Sequence, residues 1–138
     1  MSNRRQEVIY QPEIETLSLR TEGGPETAVA TFQNLEKLVP LKGRKFYGVY
    51  DTKRGIYRAC TKLEEDDESQ NWPLEHFIIP DGLYAYRKII GEHDELVKQV
   101  PRVFQELAGR WAVDSTRPSV EFYRRLDEFR LYLPVTTP

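Results

Sequence analysis

The sequence predicts a single α+β domain in which two helices lie on a curved antiparallel sheet. The order strand, helix, strand, strand occurs twice along the 138 residues. The predicted hairpins make antiparallel pairing local, and two helices are too few to connect so many strands in parallel. We therefore expect two similar halves related by a pseudo-twofold axis, with a ligand groove along their junction.

The length and composition limit the chain to one core. With 138 residues, 39% hydrophobic and 30% charged, it is long enough for one ordinary core and short for two domains. We expect a polar leader over residues 1–12 and a single domain over residues 13–138. Within that domain we expect repeat one at about 13–63, an acidic loop at 64–71 and repeat two at about 72–135.

The first repeat opens with a strand and a helix. The stretch "EIETLSLRTEGG", from Glu13, alternates apolar and polar residues and stops at two glycines. Pro25 and Glu26 suit the first turn of a helix, where a missing N–H and a negative charge are tolerated. The helix carries an apolar stripe and ends at Pro40. The stripe consists of Ala28, Phe32, Leu35 and Val39.

A hairpin completes the first repeat. "KFYGVYDT" and "GIYRACTKL" are rich in aromatic and β-branched residues, and Lys53-Arg54-Gly55 between them has the composition of a turn. The next stretch, "EEDDESQN", opens with five consecutive carboxylates. We expect it to be a solvated acidic loop.

The second repeat follows the same order. "LEHFIIPDGLYAYRKIIG" supplies strand residues with a Pro80-Asp81-Gly82 turn, and "PSVEFYRRLDEFRLYLPV" supplies the closing hairpin. Pro101 falls within the predicted helix and would either kink it or begin its main body at the first helical position. The apolar stripe of this helix consists of Leu96, Val100, Val103, Leu107 and Trp111.

Two echoes in the sequence favour duplication. "FQNL" at Phe32 recurs as "FQEL" at Phe104, 72 residues later, and Tyr50 matches Tyr123 at an offset of 73 residues. Because a four-residue echo arises easily by chance, the repeated order of elements is the stronger argument.

Several classes of function are disfavoured by what the sequence lacks. The formal charge of −2 gives no basic footprint, so we expect no direct binding of nucleic acid. No apolar stretch approaches the length of a membrane span, and the single cysteine, Cys60, suits a reducing compartment, so we expect a cytoplasmic protein without a membrane partner. His76 and His93 stand outside any metal-ligand spacing, and no phosphate-binding loop is present, so we expect neither a metal nor a cofactor.

A carboxylate occupies the first strand of the closing hairpin. In "SVEFYRR", Glu121 and Tyr123 share one face of the strand, and Val120 and Phe122 share the other. The apolar face suits the core. Spacing alone leaves two possibilities for Glu121: an exposed position, solvated or paired with a nearby arginine, or a position in a pocket.

Further candidates for the groove follow from the duplication and from the aromatic residues. Gly48 and Tyr50 occupy in the first repeat the places of Glu121 and Tyr123, so a twofold groove brings them opposite the acid. Their alternative role is that of a close-packing glycine and an ordinary sheet tyrosine. Four aromatic residues complete the candidate set, each with an alternative role in the core or in anchoring a loop: Trp72, Phe77, Tyr86 and Trp111.

The duplicated order and several motifs resemble a known family, over roughly residues 13–135. Gly24-Pro25 before the first helix, "GVYDT" after it, Gly91 before the second helix and the ending "PSVEFYRR…FRLYLPV" are similar to the gyrase-inhibitor-like (GyrI-like) small-molecule-binding domain. This domain is also the effector-binding domain of bacterial multidrug-sensing transcription activators. The chain departs from the family pattern at Glu92-His93, where a Pro-Tyr pair often stands, and at Pro101.

The resemblance implies three functions. The first is binding of hydrophobic, often cationic, small molecules or xenobiotics in an aromatic groove around Glu121. The second is hydrolysis of cyclopropane-containing, DNA-alkylating natural products, with Glu121 as general base and Tyr123 or Tyr50 as hydrogen-bond donor to the oxygen on which charge develops. The third is inhibition of DNA gyrase by direct contact.

Overall fold

The computed structural model describes residues 7–137, apart from the side chain of Ser69, and builds them into an eight-stranded sheet with two helices. In chain order the elements are β1 (Val8–Gln11), β2 (Ile14–Thr21), α1 (Ala28–Leu38), β3 (Phe46–Asp51), β4 (Ile56–Lys62), β5 (Glu75–Ile79), β6 (Gly82–Ile90), α2 (His93–Arg110), β7 (Ser119–Arg125) and β8 (Glu128–Pro134). Short 3₁₀ turns at Pro25–Thr27 and Asp67–Gln70 precede α1 and β5. The predicted α+β class with a duplicated strand-helix-strand-strand order is confirmed.

The strand order β1-β6-β8-β7-β3-β4-β2-β5 requires a strongly curved sheet. Only Pro12 and Glu13 separate β1 from β2 in the chain, although six strand spacings separate them in the sheet. Six spacings would span about 29 Å in a flat sheet, whereas this link bridges at most about 11 Å. The sheet therefore curls until its two ends approach each other. The two-residue link between β5 and β6 has the same effect.

Each repeat has one more strand than the sequence predicts, and this strand pairs with the other repeat. β1 pairs with β6, and β5 pairs with β2, both antiparallel. Residues 8–11, expected to be part of a polar leader, thus form an edge strand, in which Val8 and Ile9 pack against the core. Residues 1–6 of the expected leader lie outside the described residues.

The pseudo-twofold axis passes between β3 and β7, at the centre of the sheet. Gly48 is the register partner of Glu121, Phe46 that of Tyr123, and Tyr50 that of Ser119. An offset of 73 residues converts the pair Phe46–Tyr123 into the pair Ser119–Tyr50. The predicted correspondence between Tyr50 and Tyr123 is therefore confirmed, and the axis runs through the Gly48–Glu121 pair.

The helices lie on one face of the sheet, called here the helix face. α1 packs on β4 and β2, and α2 packs on β8 and β6, so the central strands β3 and β7 lie between the two helices. The opposite face, called the inner face, carries a core to which all eight strands contribute. Pro101 lies inside α2 and is exposed, so the alternative in which it begins the helix is wrong. Neither helix has the length and apolar character that a membrane span requires.

The acidic loop is less solvated than the sequence indicates. Asp67 is buried and accepts hydrogen bonds from Arg44 at 3.1 Å (Nη1) and 2.5 Å (Nη2). These bonds hold the pKa of Asp67 below its usual value. The Arg44 guanidinium also lies over the ring of Trp72, 5.8 Å from its centroid. The ion pair therefore ties the loop to the segment between α1 and β3.

Candidate functional site

A carboxyl group lies on the central strands of the helix face, in the region between α1 and α2 that is called here the groove. Glu121 lies on the helix face of β7, directly beside Gly48 on β3, and only 9% of it is exposed. Strand alternation places it there because Val120 and Phe122 turn to the inner face. Glu121 therefore lies at the centre of the sheet, on the pseudo-twofold axis.

Two tyrosine hydroxyls surround this carboxyl group. Tyr123 donates a short hydrogen bond to Oε1 of Glu121, and the hydroxyl of Tyr57 lies 3.4 Å from that of Tyr123. A Cβ atom at residue 48 would clash with the Tyr57 hydroxyl and would lie 2.7 Å from the Tyr123 hydroxyl. Glycine at this position therefore makes room for both phenols.

Aromatic rings from both repeats enclose Tyr123. Its ring meets Phe32 of α1 edge-on with centroids 5.2 Å apart, and Phe129 of β8 with centroids 5.0 Å apart. Phe32 packs with the core under α1, whereas Phe129 belongs to the core under α2. Tyr123 therefore joins the two helix cores across the floor of the groove.

The environment of Glu121 favours its neutral form. Burial raises the pKa of its carboxyl group to about 7, although the hydrogen bond from Tyr123 lowers it in part. Among residues 7–137 no arginine or lysine lies within ion-pair distance of Glu121, and Arg124 and Arg130 contact Glu128 instead. The alternative of an exposed or arginine-paired glutamate is therefore wrong.

Such a carboxyl group can change its charge close to neutral pH. Burial and the charge of Glu121 raise the pKa of Tyr123, so that this phenol stays protonated and able to donate. When ionised, Glu121 is an unpaired negative charge in an aromatic, poorly hydrated setting. It can attract a cation or accept a proton from water.

The structure brings together only part of the predicted site. Gly48, Glu121 and Tyr123 are in contact or directly adjacent. Tyr50 and Trp72 also belong to the helix face, where they pack against the core under α1. Trp111 packs against the core under α2, at the end of that helix.

Phe77 and Tyr86 lie on the inner face, away from Glu121. Both pack against the core to which all eight strands contribute. Tyr86 is the register partner of Tyr132, whereas Leu131 is the partner of Glu121, so Tyr86 falls on the opposite side of the sheet. The guanidinium of Arg58 covers Phe77 at 4.4 Å from its ring centroid.

Sequence reasoning missed three aromatic residues around the carboxyl group, namely Tyr57, Phe32 and Phe129. The position of Tyr57 could have been predicted from the sequence. The Lys53–Gly55 turn sets the hairpin register that pairs Tyr57 with Tyr50, and Tyr50 shares a strand face with Gly48. Phe32 and Phe129 read only as core positions in the sequence. Among the described residues, no group of three or more His, Cys, Asp or Glu side chains could hold a metal ion.

Comparisons with known proteins place the chain in a fold rather than in a named family. No family model matches the sequence, and no curated protein does. Three solved structures are similar over 94–95% of this chain. SAV2435 bound to tetraphenylphosphonium has a TM-score of 0.66 at 12% identity, with 92% of that chain covered. An integron cassette protein from the mobile metagenome of Vibrio cholerae has a TM-score of 0.68 at 15% identity, with 94% covered. The EcmrR C-terminal domain has a TM-score of 0.61 at 13% identity, with 96% covered.

The fold and the site define an α+β protein with a curved, duplicated sheet and a buried carboxyl group in the groove between its helices. The resemblance to GyrI-like small-molecule-binding domains is confirmed at the level of the fold.

Proposed function

We propose that this protein binds hydrophobic organic cations in the groove between α1 and α2, with Glu121 as the negative charge that receives them. The observation that carries this proposal is the buried carboxyl group, which has a phenol as partner and no basic residue within ion-pair distance among residues 7–137. A cation that enters such a site recovers electrostatic energy that burial has removed from the carboxylate.

The aromatic setting favours a cation that is also apolar. The rings of Tyr123, Phe32 and Phe129 form a connected cluster beside the carboxyl group. Aromatic faces attract cations most strongly where water is excluded. SAV2435, which has the same fold, was solved with tetraphenylphosphonium, an apolar cation of this chemical class.

Calorimetric titration with tetraphenylphosphonium tests the proposal. We expect Glu121→Gln to weaken binding by roughly tenfold or more, because the amide keeps the shape of the carboxyl group and loses its charge. Triphenylphosphine oxide, which is neutral and of similar shape, serves as the ligand control, and Glu36→Gln on the exposed side of α1 serves as the protein control. Equal affinity of wild type and Glu121→Gln for the cation would contradict the proposal.

A hydrolase is the second candidate, and the pKa of Glu121 favours it. A carboxyl group that titrates near 7 matches the basicity that a general base needs at neutral pH. In this reaction the oxygen of a water molecule would bond to a cyclopropane carbon while Glu121 takes the water proton. The ring C–C bond would break and pass its electron pair to a conjugated carbonyl oxygen of the substrate, to which Tyr123 would then donate instead of to Glu121.

Mass analysis separates the two candidates. Incubation with a cyclopropane-bearing alkylating agent should yield a water adduct at a rate that falls by about 10² or more in Glu121→Gln. If the protein binds the cation but forms no water adduct, the result supports the binding function and not the hydrolase function. An adduct that forms at the same rate in both proteins would exclude Glu121 as the base.

A further inference from the structure

A cavity lies on the inner face of the sheet, opposite the helix face that carries Glu121. Its volume is about 210 Å³, and it forms where the β1–β2 and β5–β6 links, which contain Pro12 and Pro80, pass over strands β3, β7 and β8. β7 supplies Val120 and Phe122 to this cavity, whereas the intervening Glu121 faces the groove. The two sites therefore share a strand and have no lining residue in common.

One wall of the inner cavity is a flat aromatic stack. The rings of Tyr47 and Phe122 lie nearly parallel, 21° apart, with centroids at 4.8 Å. Tyr132 and Tyr84 meet edge to face at 6.1 Å on another side. A planar ring that slides onto the stack extends it by the same offset contact that the two side chains already make.

Among the described residues that line the inner cavity, Arg130 alone is charged. Its Nε and Nη2 atoms both lie 2.9 Å from Oε2 of Glu128, and the described residues provide no partner for Nη1. Arg124 also approaches that carboxylate, at 3.9 Å, so positive charge is in excess at this edge. A guanidinium with free N–H groups is well suited to a carboxylate.

The phenols of the inner cavity add hydrogen-bond donors. Burial raises the pKa of Tyr132 to about 12 and also raises the pKa of Tyr47. Both hydroxyls thus stay protonated at neutral pH. They can donate to an anion without competing with it for a proton.

We propose that the inner cavity is a second binding site, and that it takes a planar aromatic carboxylate whose ring lies on the Tyr47–Phe122 stack and whose carboxylate meets Arg130. The volume is below the roughly 300–1,000 Å³ of drug-sized sites, so the ligand has one or two fused rings. Its charge is opposite to that of the ligand proposed for the groove. The two proposals therefore stand or fall separately.

Naphthalene-2-carboxylate is a suitable probe, with the neutral naphthalene-2-carboxamide as its isostere. By calorimetry we expect the wild type to bind the carboxylate roughly tenfold more tightly than the amide. Arg130→Gln should remove this preference. Arg124→Gln is the matched control, because Arg124 also approaches Glu128 but does not line the cavity, and the preference should change by less than about threefold.

Two further variants locate the bound probe. Ile14→Trp fills the cavity and should abolish binding of both probes, whereas Glu121→Gln should leave both affinities unchanged. Thermal unfolding establishes that each variant is folded. If Arg130→Gln does not fold, Arg130→Lys replaces it. The preference for the carboxylate over the amide should then fall by roughly threefold or more, because lysine lacks the planar guanidinium. Any one of four results would overturn the proposal. These are no binding by the wild type, equal affinity of the wild type for the two probes, a preference for the carboxylate that survives Arg130→Gln, and loss of binding in Glu121→Gln.

Discussion

Replacement of Glu121 by Gln should stabilise the protein in a way that depends on pH. The carboxyl group is buried without a basic partner among the described residues, and the pKa of Glu121 rises from the ordinary 4.5 to about 7 in the folded state. Below pH 4.5 the group is protonated in both the folded and the unfolded protein and costs nothing. Between pH 4.5 and about 7 the unfolded state has released this proton while the folded state still holds it, so the free energy of unfolding falls across this range and levels off above it.

The size of the effect follows from the same pKa. Each unit of pKa difference between the two states corresponds to about 1.4 kcal/mol. The rise to about 7 therefore costs the folded wild type about 3 kcal/mol once Glu121 is ionised. Gln carries no charge at any pH and avoids this cost. Its amide accepts the hydrogen bond from Tyr123 as the carboxyl group does.

Urea unfolding of wild type and Glu121→Gln at about pH 4 and about pH 9 measures the difference. We expect similar free energies of unfolding at the acidic pH and an advantage of about 3 kcal/mol for the variant at the alkaline pH. Glu36→Gln, on the exposed side of α1, should follow the wild type throughout. A Glu121→Gln variant that is destabilised equally at both pH values would refute the reasoning, since Glu121 would then contribute a structural hydrogen bond rather than a desolvated charge.

Three other predictions follow from the site and its surroundings. Affinity for tetraphenylphosphonium should fall as the pH drops below about 7 and should level off near the affinity of Glu121→Gln, because only the ionised Glu121 attracts a cation, and titration across pH checks this; a flat profile would contradict it. Gly48→Ala should cost about 1–3 kcal/mol by chemical unfolding, because its Cβ clashes with two phenols, whereas Gly109→Ala, with open space around it in α2, should stabilise slightly. Asp67→Ala should cost about 2–4 kcal/mol, because it removes the carboxylate partner of the buried Arg44 and leaves that guanidinium only its bonds to Thr61 and to the Lys62 carbonyl; a thermal shift no larger than that of an exposed carboxylate would show the pair to be dispensable.

The strand face that carries Glu121 was predictable from local pattern, whereas its place in a pocket was expected only from the family resemblance. Alternation along "SVEFYRR" separates Glu121 and Tyr123 from Val120 and Phe122, and the hairpins that flank β7 and β3 fix their own registers. Because Gly48 and Glu121 are equivalent positions in the two repeats, the duplication alone predicts that they lie next to each other. Each step involves contacts that are short in sequence or are repeated by symmetry.

The rest of the site depends on pairing that the sequence does not encode locally. Phe77 faces away from Glu121 because β5 pairs with β2, from which it is separated by two strands and a helix. β1 is only four residues long, too short for an alternating pattern to be recognised. Asp67 is buried by its ion pair with Arg44, which lies 23 residues earlier in the chain, so the local sequence does not reveal this pairing. Composition gives no indication of any of these contacts.

The exchange of β1 and β5 between the repeats links these long-range features to the site. Because each repeat completes the sheet of the other, the curl that closes the inner cavity and the axis that places Glu121 in the groove arise from the same pairing. β7 then serves both faces, with alternate residues directed to the groove and to the cavity. A slip of one residue would put Glu121 into the inner core and Phe122 into the groove. Pairing with β3 on one side and β8 on the other holds the register against this slip.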